Sequence, residues 1–438
     1  MLSGAFDALR VVAFDENTHA GRMRVVHRIA LIQRKTRATG VCRVLSSALT
    51  AFLLTSMLQA QAQASSIRPL RTTPSEQFTV DNGNRDWGPA SIAGNVIIAG
   101  GPSGRGGLHA VDMSTGKLKW SYRPADINGS VSTPPAIVRD LAIAAFGAAN
   151  PGAVIAVSLV TGKAVWRGPD PTANATVVAS DDMAFVQDKA GNFIAMDALT
   201  GKEVWRRTSS RRRFCVSRPT VLDGVVYVSG SVDAIPGDAS KTEGFELFAL
   251  DAKTGQERWR YRAAAQYGTV GVCLRQLVVT GSAIYAADES RLYAVVRATG
   301  RDRWKWVETR ATVAGVKRLT EVVGLVDAGA VLIGLTESAL VAYEQSSGET
   351  AWELPGTFNL NAPSTAVAGN VLYFQGSPAS KPAAAPRGTL YAMDVDTRSI
   401  LWSFTRITAE KNWSFGAVTP MHDGLWVNSY KALVKLGR

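Results

Sequence analysis

Residues 108–120 read LHAVDMSTGKLKW, and six later segments repeat the plan: VIAVSLVTGKAVW (154–166), FIAMDALTGKEVW (193–205), LFALDAKTGQERW (247–259), LYAVVRATGRDRW (292–304), LVAYEQSSGETAW (340–352) and LYAMDVDTRSILW (390–402). In every copy an alanine stands ten residues before a tryptophan. The alanines are Ala110, Ala156, Ala195, Ala249, Ala294, Ala342 and Ala392; the tryptophans are Trp120, Trp166, Trp205, Trp259, Trp304, Trp352 and Trp402. One fixed offset kept through seven copies marks a repeat architecture, in which a unit that cannot bury its own apolar faces stacks on its neighbours.

Within each copy the Thr-Gly pair reads as a hairpin turn, with an acidic residue upstream able to bond the turn's backbone. Arg398 replaces the turn glycine in the last copy, so a different turn type is expected there. Ahead of the copies lie further turns followed by β-branched runs, as in SIAGNVIIAGG (91–101), TVLDGVVYVSG (220–230) and TAVAGNVLYFQG (365–376). Successive tryptophans are 46, 39, 54, 45, 48 and 50 residues apart, the length of a four-stranded antiparallel sheet with its loops. Beyond residue 65 no helical period is evident. The expected fold is therefore all-β, a propeller of four-stranded antiparallel blades.

After Trp402 the chain continues FGAVTPMHDGLWVNSYKALVKLGR (415–438), the opening strands of another unit without its signature. The segment SEQFTVDNG (75–83) is expected to supply the missing strand and close an eight-bladed ring from both chain ends. Seven blades, with the ends decorating the ring, is the alternative. SPASKPAAAPRG (377–388) reads as a Pro/Ala-rich loop inside the seventh unit.

Residues 1–64 read as an N-terminal extension and signal peptide. Arg24, Arg28, Arg34, Lys35, Arg37 and Arg43 precede the apolar run Val44–Leu58, which is short for a spanning helix, and small-x-small pairs at Ala60/Ala62 and Ala62/Ala64 follow it. Cleavage after Ala62 or Ala64 and export to the periplasm are expected, with an uncleaved inner-membrane anchor as the alternative. Asp7, Asp15 and Glu16 fit a signal n-region poorly, so Met23 is an alternative start. Residues 65–85 then form the segment that closes the last blade, and 86–438 the propeller.

The formal charge is +12, but the leader holds eight Lys or Arg against three acids, leaving a modest excess in the body that reads as ordinary solubility charge. Cys42 lies in the leader; Cys215 and Cys273 either form one bridge in an oxidising compartment or remain two buried thiols. Only His109 and His422 follow the leader, so a histidine metal site is not expected.

The A-x-D-x-x-T-G-x-x-x-W pattern resembles the tryptophan-docking motif of the pyrroloquinoline-quinone-like (PQQ-like) propeller family, from about residue 86 to the end. The resemblance implies that Trp120 and its six counterparts are structural, packed between blades beside the next Thr-Gly turn. One branch of the family comprises quinone- and calcium-dependent dehydrogenases with an adjacent cysteine pair, which this chain lacks. The other is the BamB-like propeller of outer-membrane assembly, similar in size and blade number, although no lipid-accepting cysteine follows the apolar run here. The leading expectation is an exported, monomeric, non-enzymatic scaffold without cofactor that binds envelope proteins. A small PQQ-dependent dehydrogenase with calcium and a glycan-binding module are the alternatives. Peripheral membrane association remains open, and nucleic acid is not an expected partner.

Function is expected on loops, because strands and docking motifs are committed to packing. The linkers after the tryptophans carry Asn128, Ser130 and Ser132, then Asn359 and Asn361, then Lys411, Asn412 and Trp413, groups suited to a sugar, peptide or quinone and equally to turn formation. The run RRTSSRRRF places Arg206, Arg207, Arg211, Arg212 and Arg213 together, either to grip anionic groups or as a solvated inter-blade loop. No nucleophile, metalloprotease or phosphate-loop pattern is found, so no catalytic residues are named.

Overall fold

The computed structural model describes residues 68–437 apart from 82–87, 89, 102–105, 128–129, 148–151, 172–174, 189, 209–211, 215–218, 236–237, 265–275, 289, 314, 359–364, 379–388, 406–414, 423 and 430–431. In the first blade the strands Ala90–Ala93, Val96–Gly100, Leu108–Asp112 and Leu118–Tyr122 pair antiparallel in sequence order. The same meander recurs over residues 136–167, 178–207, 220–264, 276–308, 324–358 and 365–405. The first strands of successive blades pack on one another, so they form the inner ring and the tryptophan-bearing fourth strands the outer rim.

The eighth blade is built from both ends of the described chain. Phe415–Met421, Gly424–Ser429 and Ala432–Gly437 supply three strands, and Ser75–Asp81 pairs antiparallel with Ala432–Gly437 as the outermost. Among the described residues the core divides into eight clusters, each spanning two neighbouring blades, and one of them joins Val80, Trp426 and Leu433 of the closing blade to Ile97 and Val111 of the first. The ring thus closes on eight blades.

The repeated alanine has a packing reason. Ala249 pairs across its sheet with Tyr227 on one side and Trp259 on the other, and those two rings lie 6.0 Å apart over it. Tyr285–Ala294–Trp304 and Tyr373–Ala392–Trp402 repeat the row with ring separations of 6.3 and 5.9 Å. A larger side chain between the rings would push them apart. The closing blade keeps the row but exchanges its members. Trp426 and Phe78 meet edge-on at 5.3 Å across Lys435, whose ammonium lies 5.8 Å from the Phe78 ring.

Six of the seven tryptophans tie their blade to a neighbouring one through the indole nitrogen. Nε1 of Trp120, Trp166, Trp205, Trp259 and Trp304 donates to the carbonyls of Leu159, Ala198, Ala252, Arg297 and Gln345 at 2.8–3.1 Å. Trp402 does the same at 2.7 Å, but its acceptor is Leu70, ahead of the closing strand. The Leu70 N–H donates to the Tyr373 hydroxyl at 2.6 Å, and Arg71 pairs with Asp394 and Asn370. Where the closing blade has no Thr-Gly turn, the buried segment at Leu70 takes its place.

The turn at Arg398 corrects the expectation of a different type. Arg398 adopts φ 61°, beside 73° at Gly201, and its N–H donates to the Asp394 carbonyl at 2.8 Å as Gly201 donates to Asp197. The Asp394 carboxylate accepts from the Asp396 and Thr397 N–H groups at 3.1 and 2.9 Å. The turn's hydrogen bonds outweigh a left-handed penalty of about 1–2 kcal/mol. In the seventh unit the strand Val371–Pro378 also takes up residues 377 and 378 of the expected loop, pairing there with the outer strand Thr350–Phe358 of the preceding blade.

Candidate functional site

In a four-stranded meander the first and third turns lie on one face, while the second turn and the exit to the next blade lie on the other. The docking turns are third turns, and their backbones bond the first turns of the same blades, as in Met113 N to Asn95 O at 3.0 Å and Ala198 N to Asp182 O at 2.7 Å. That face is committed to holding the ring together. The opposite face carries all the inter-blade linkers.

Asn128, Asn359, Asn361, Lys411, Asn412, Trp413 and Arg211 lie outside the described residues, as do Cys215 and Cys273. Ser130 is described, bridging Gly147 in a short antiparallel contact.

The arginine run is not a single loop. Arg206 and Arg207 end the outer strand Glu203–Arg207 of the third blade, and Arg212–Phe214 forms a strand along the upper part of Val225–Ile235. Arg206 Nη1 lies 2.8 Å from Asp188, which also holds Asn192, and its other nitrogens bind Glu203 at 2.6 and 3.0 Å. Arg207 reaches Glu257 of the fourth blade at 3.0 Å; Arg260 binds the same Glu257 at 2.7 Å and the buried Glu246 at 3.4 Å. The guanidinium beside it holds the Glu203 carboxyl below the usual range, and Glu203 in turn raises Arg206. Two of the five arginines thus serve ion pairs within and between blades.

Two features of this face escaped sequence reasoning. The fourth blade's middle strands, Val225–Ile235 and Asp238–Asp251, run far beyond their counterparts as a long hairpin with Arg212–Phe214 along its edge. Between the fifth and sixth blades the linker folds into a hairpin, Arg310–Val313 with Val316–Leu319. Its signal lies in TVAGVKRL, β-branched residues about an Ala-Gly turn.

Elsewhere on this face the buried Asp288 accepts from the Ser290 and Arg291 N–H groups and the Tyr293 hydroxyl at 2.7–2.9 Å, so its oxygens serve the turn. Among the described residues no three His, Cys, Asp or Glu side chains converge on a point.

A family model described as outer membrane protein assembly factor BamB matches residues 61–179 and 150–404. Among solved structures, BamB from Moraxella catarrhalis superposes with a TM-score of 0.60 at 16% identity, covering 84% of this chain and all of that one. The computationally designed Ika8 protein gives 0.60 at 13% identity, covering 83% and 99%. A europium-containing methanol dehydrogenase gives 0.56 at 14%, covering 81% and 84%. A curated relative, the serine/threonine-protein kinase AfsK of Streptomyces coelicolor, is 28% identical over 138 residues, 32% of this chain and only 13% of the kinase. At these identities the structural likenesses establish the fold alone.

Proposed function

This chain belongs to the family of the outer membrane protein assembly factor BamB, and from that premise we propose that it is an exported, periplasmic propeller scaffold whose linker face binds protein partners during outer-membrane protein assembly. The family match along most of the chain carries the reading. The division of faces supports it: the turn face carries the indole bonds that tie one blade to the next, and the linker face carries the extra hairpins. Protein partners suit a broad surface of this kind better than a small substrate, which calls for a concave site with a few convergent polar groups.

The test expresses the full chain with a C-terminal tag in its native envelope, fractionates the cells and crosslinks before purification. Recovery in the periplasmic fraction, processed after Ala62 or Ala64 and crosslinked to an outer-membrane assembly component, is the expected result. Retention in the cytosol would overturn the reading. So would alcohol- or sugar-dependent dye reduction by the purified chain supplied with pyrroloquinoline quinone and calcium.

A further inference from the structure

The hairpin Arg310–Val313/Val316–Leu319 forms a sheet of its own beside the ring. Its base is fixed firmly. Buried Thr309 donates through Oγ1 to the Thr320 carbonyl at 2.5 Å, the Thr320 N–H donates back to Thr309 at 2.9 Å, and Ala311 is buried in the core shared by the fifth and sixth blades. The register is Arg310↔Leu319, Ala311↔Arg318, Thr312↔Lys317 and Val313↔Val316.

Antiparallel ladders alternate between pairs that exchange hydrogen bonds and pairs whose main-chain groups point outward. The Thr309–Thr320 bond sets the phase, turning the main chain of Ala311, Val313, Val316 and Arg318 inward and that of Arg310, Thr312, Lys317 and Leu319 outward. As this requires, the Thr312 N–H donates away from the hairpin to Glu353 Oε1 at 2.5 Å, with its hydroxyl on Oε2 at 2.9 Å. One edge is therefore held by the sixth blade. The other, with the N–H and C=O groups of Lys317 and Leu319, pairs with no described strand.

All four side chains on that strand are exposed, Val316 and Leu319 by 54% and 51%. Arg310 is paired with Glu308, whereas Lys317 and Arg318 form no ion pair among the described residues. Natural edges are blunted by charge, and Lys317 and Arg318 do that against nonspecific pairing. Exposed aliphatics on both sides of the charges do the opposite, leaving an edge that discriminates rather than one that repels.

We propose that Val316–Leu319 is a docking strand that accepts an extended segment of a protein partner by strand addition, the segment reading aliphatic–acid–acid–aliphatic. Opposite Val316, Lys317, Arg318 and Leu319 that pattern places a carboxylate against each cation and an aliphatic against each aliphatic. Being palindromic, it fits either strand direction. Main-chain bonds to Lys317 and Leu319 supply affinity, and the side chains supply choice. This inference rests on the scaffold reading and adds to it the chemistry of a partner segment.

The probe is the fluorescein-labelled peptide TVEEVT, with TVKKVT as its opposite, titrated against the full chain by fluorescence anisotropy. Saturable binding of TVEEVT, about tenfold weaker for TVKKVT, is expected. Leu319→Pro removes an outward N–H and leaves the hairpin's own ladder intact, so it lowers affinity about tenfold without shifting the melting temperature. Should that variant melt early, Lys317→Glu with Arg318→Glu keeps the backbone and inverts the peptide preference. The proposal is overturned by absence of saturable binding at millimolar peptide, or by binding that the folded Leu319→Pro variant retains in full. Capture of the chain by phosphatidylglycerol vesicles with the same dependence on both cations overturns it in favour of a lipid site. Loss of the peptide result while the wild type still crosslinks to an assembly component removes the docking strand alone; peptide binding by a chain that crosslinks to none removes the scaffold reading instead.

Discussion

Gly201→Ala separates two costs that the docking turn combines. The first is conformational: φ is 73° at Gly201, where an L-residue costs about 1–2 kcal/mol, less about 0.4–1 kcal/mol recovered because alanine restricts the unfolded chain. The second is steric. An added Cβ would stand 2.7 Å from both Cδ2 and Cε3 of Trp166, so the indole or the neighbouring blade must move, at about 1–3 kcal/mol. Gly224 is the control, with φ 69° and nothing within 4 Å of a built Cβ. Gly224→Ala should then cost about 1 kcal/mol or less and Gly201→Ala about 2–4 kcal/mol. Urea unfolding followed by far-ultraviolet circular dichroism measures both, and native tryptophan emission should shift only in Gly201→Ala. Equal midpoints for the two variants would show that the turn glycine is needed for its angle alone and that the indole does not press on it.

Arg398→Gly relieves a left-handed side chain and should stabilise by about 1 kcal/mol, read as a higher urea midpoint. Tyr373→Phe leaves the buried Leu70 N–H without its acceptor and should cost about 1–3 kcal/mol in the same assay. Asp251 is held at about 2, chiefly by the Arg258 guanidinium and then by the Thr254 N–H and hydroxyl. Because that lies below its unfolded value, the stabilisation is complete above about pH 4 and is lost as the pH falls through about 2. Asp251→Asn should therefore flatten the fall of melting temperature over that range. Arg207→Ala removes a half-exposed inter-blade pair and should change stability by less than about 1 kcal/mol, measured by urea midpoint, with a smaller effect still in high salt.

The blade count was legible because cross-strand packing leaves a fixed interval in sequence. An alanine between two large side chains, paired across a tight turn with a tryptophan, appears as the same offset in every copy. Ring closure by the strand Ser75–Asp81 was legible from a unit that lacked its last strand. That Phe78 and Trp426 exchange roles was not, because Lys435 stands where the alanine should be and hides the row. Nor was the acceptor of Trp402, because a carbonyl leaves no mark in sequence and Leu70 lies 332 residues away. The Arg398 turn shows a further gap: the glycine rule reports a preference of about 1–2 kcal/mol, and a turn with enough hydrogen bonds overrides it. On the linker face the arginine run was visible as charge, but its partners Asp188 and Glu257 lie 18 and 50 residues away in sequence, so composition could not tell a gripping surface from an internal network.

The pairing of Ser75 with Gly437 also sets a timetable. The strand that seals the ring is made among the first of the propeller's residues, yet its partner is made among the last. It must wait unpaired through the synthesis of seven blades, each of which can form from local hairpins as it emerges. A pairing of such long range is slow, and the unsatisfied edge at Ala432–Gly437 invites strands from other molecules until it is covered. Folding at high concentration should therefore yield exchanged dimers, in which the first strand of one copy completes the last blade of another.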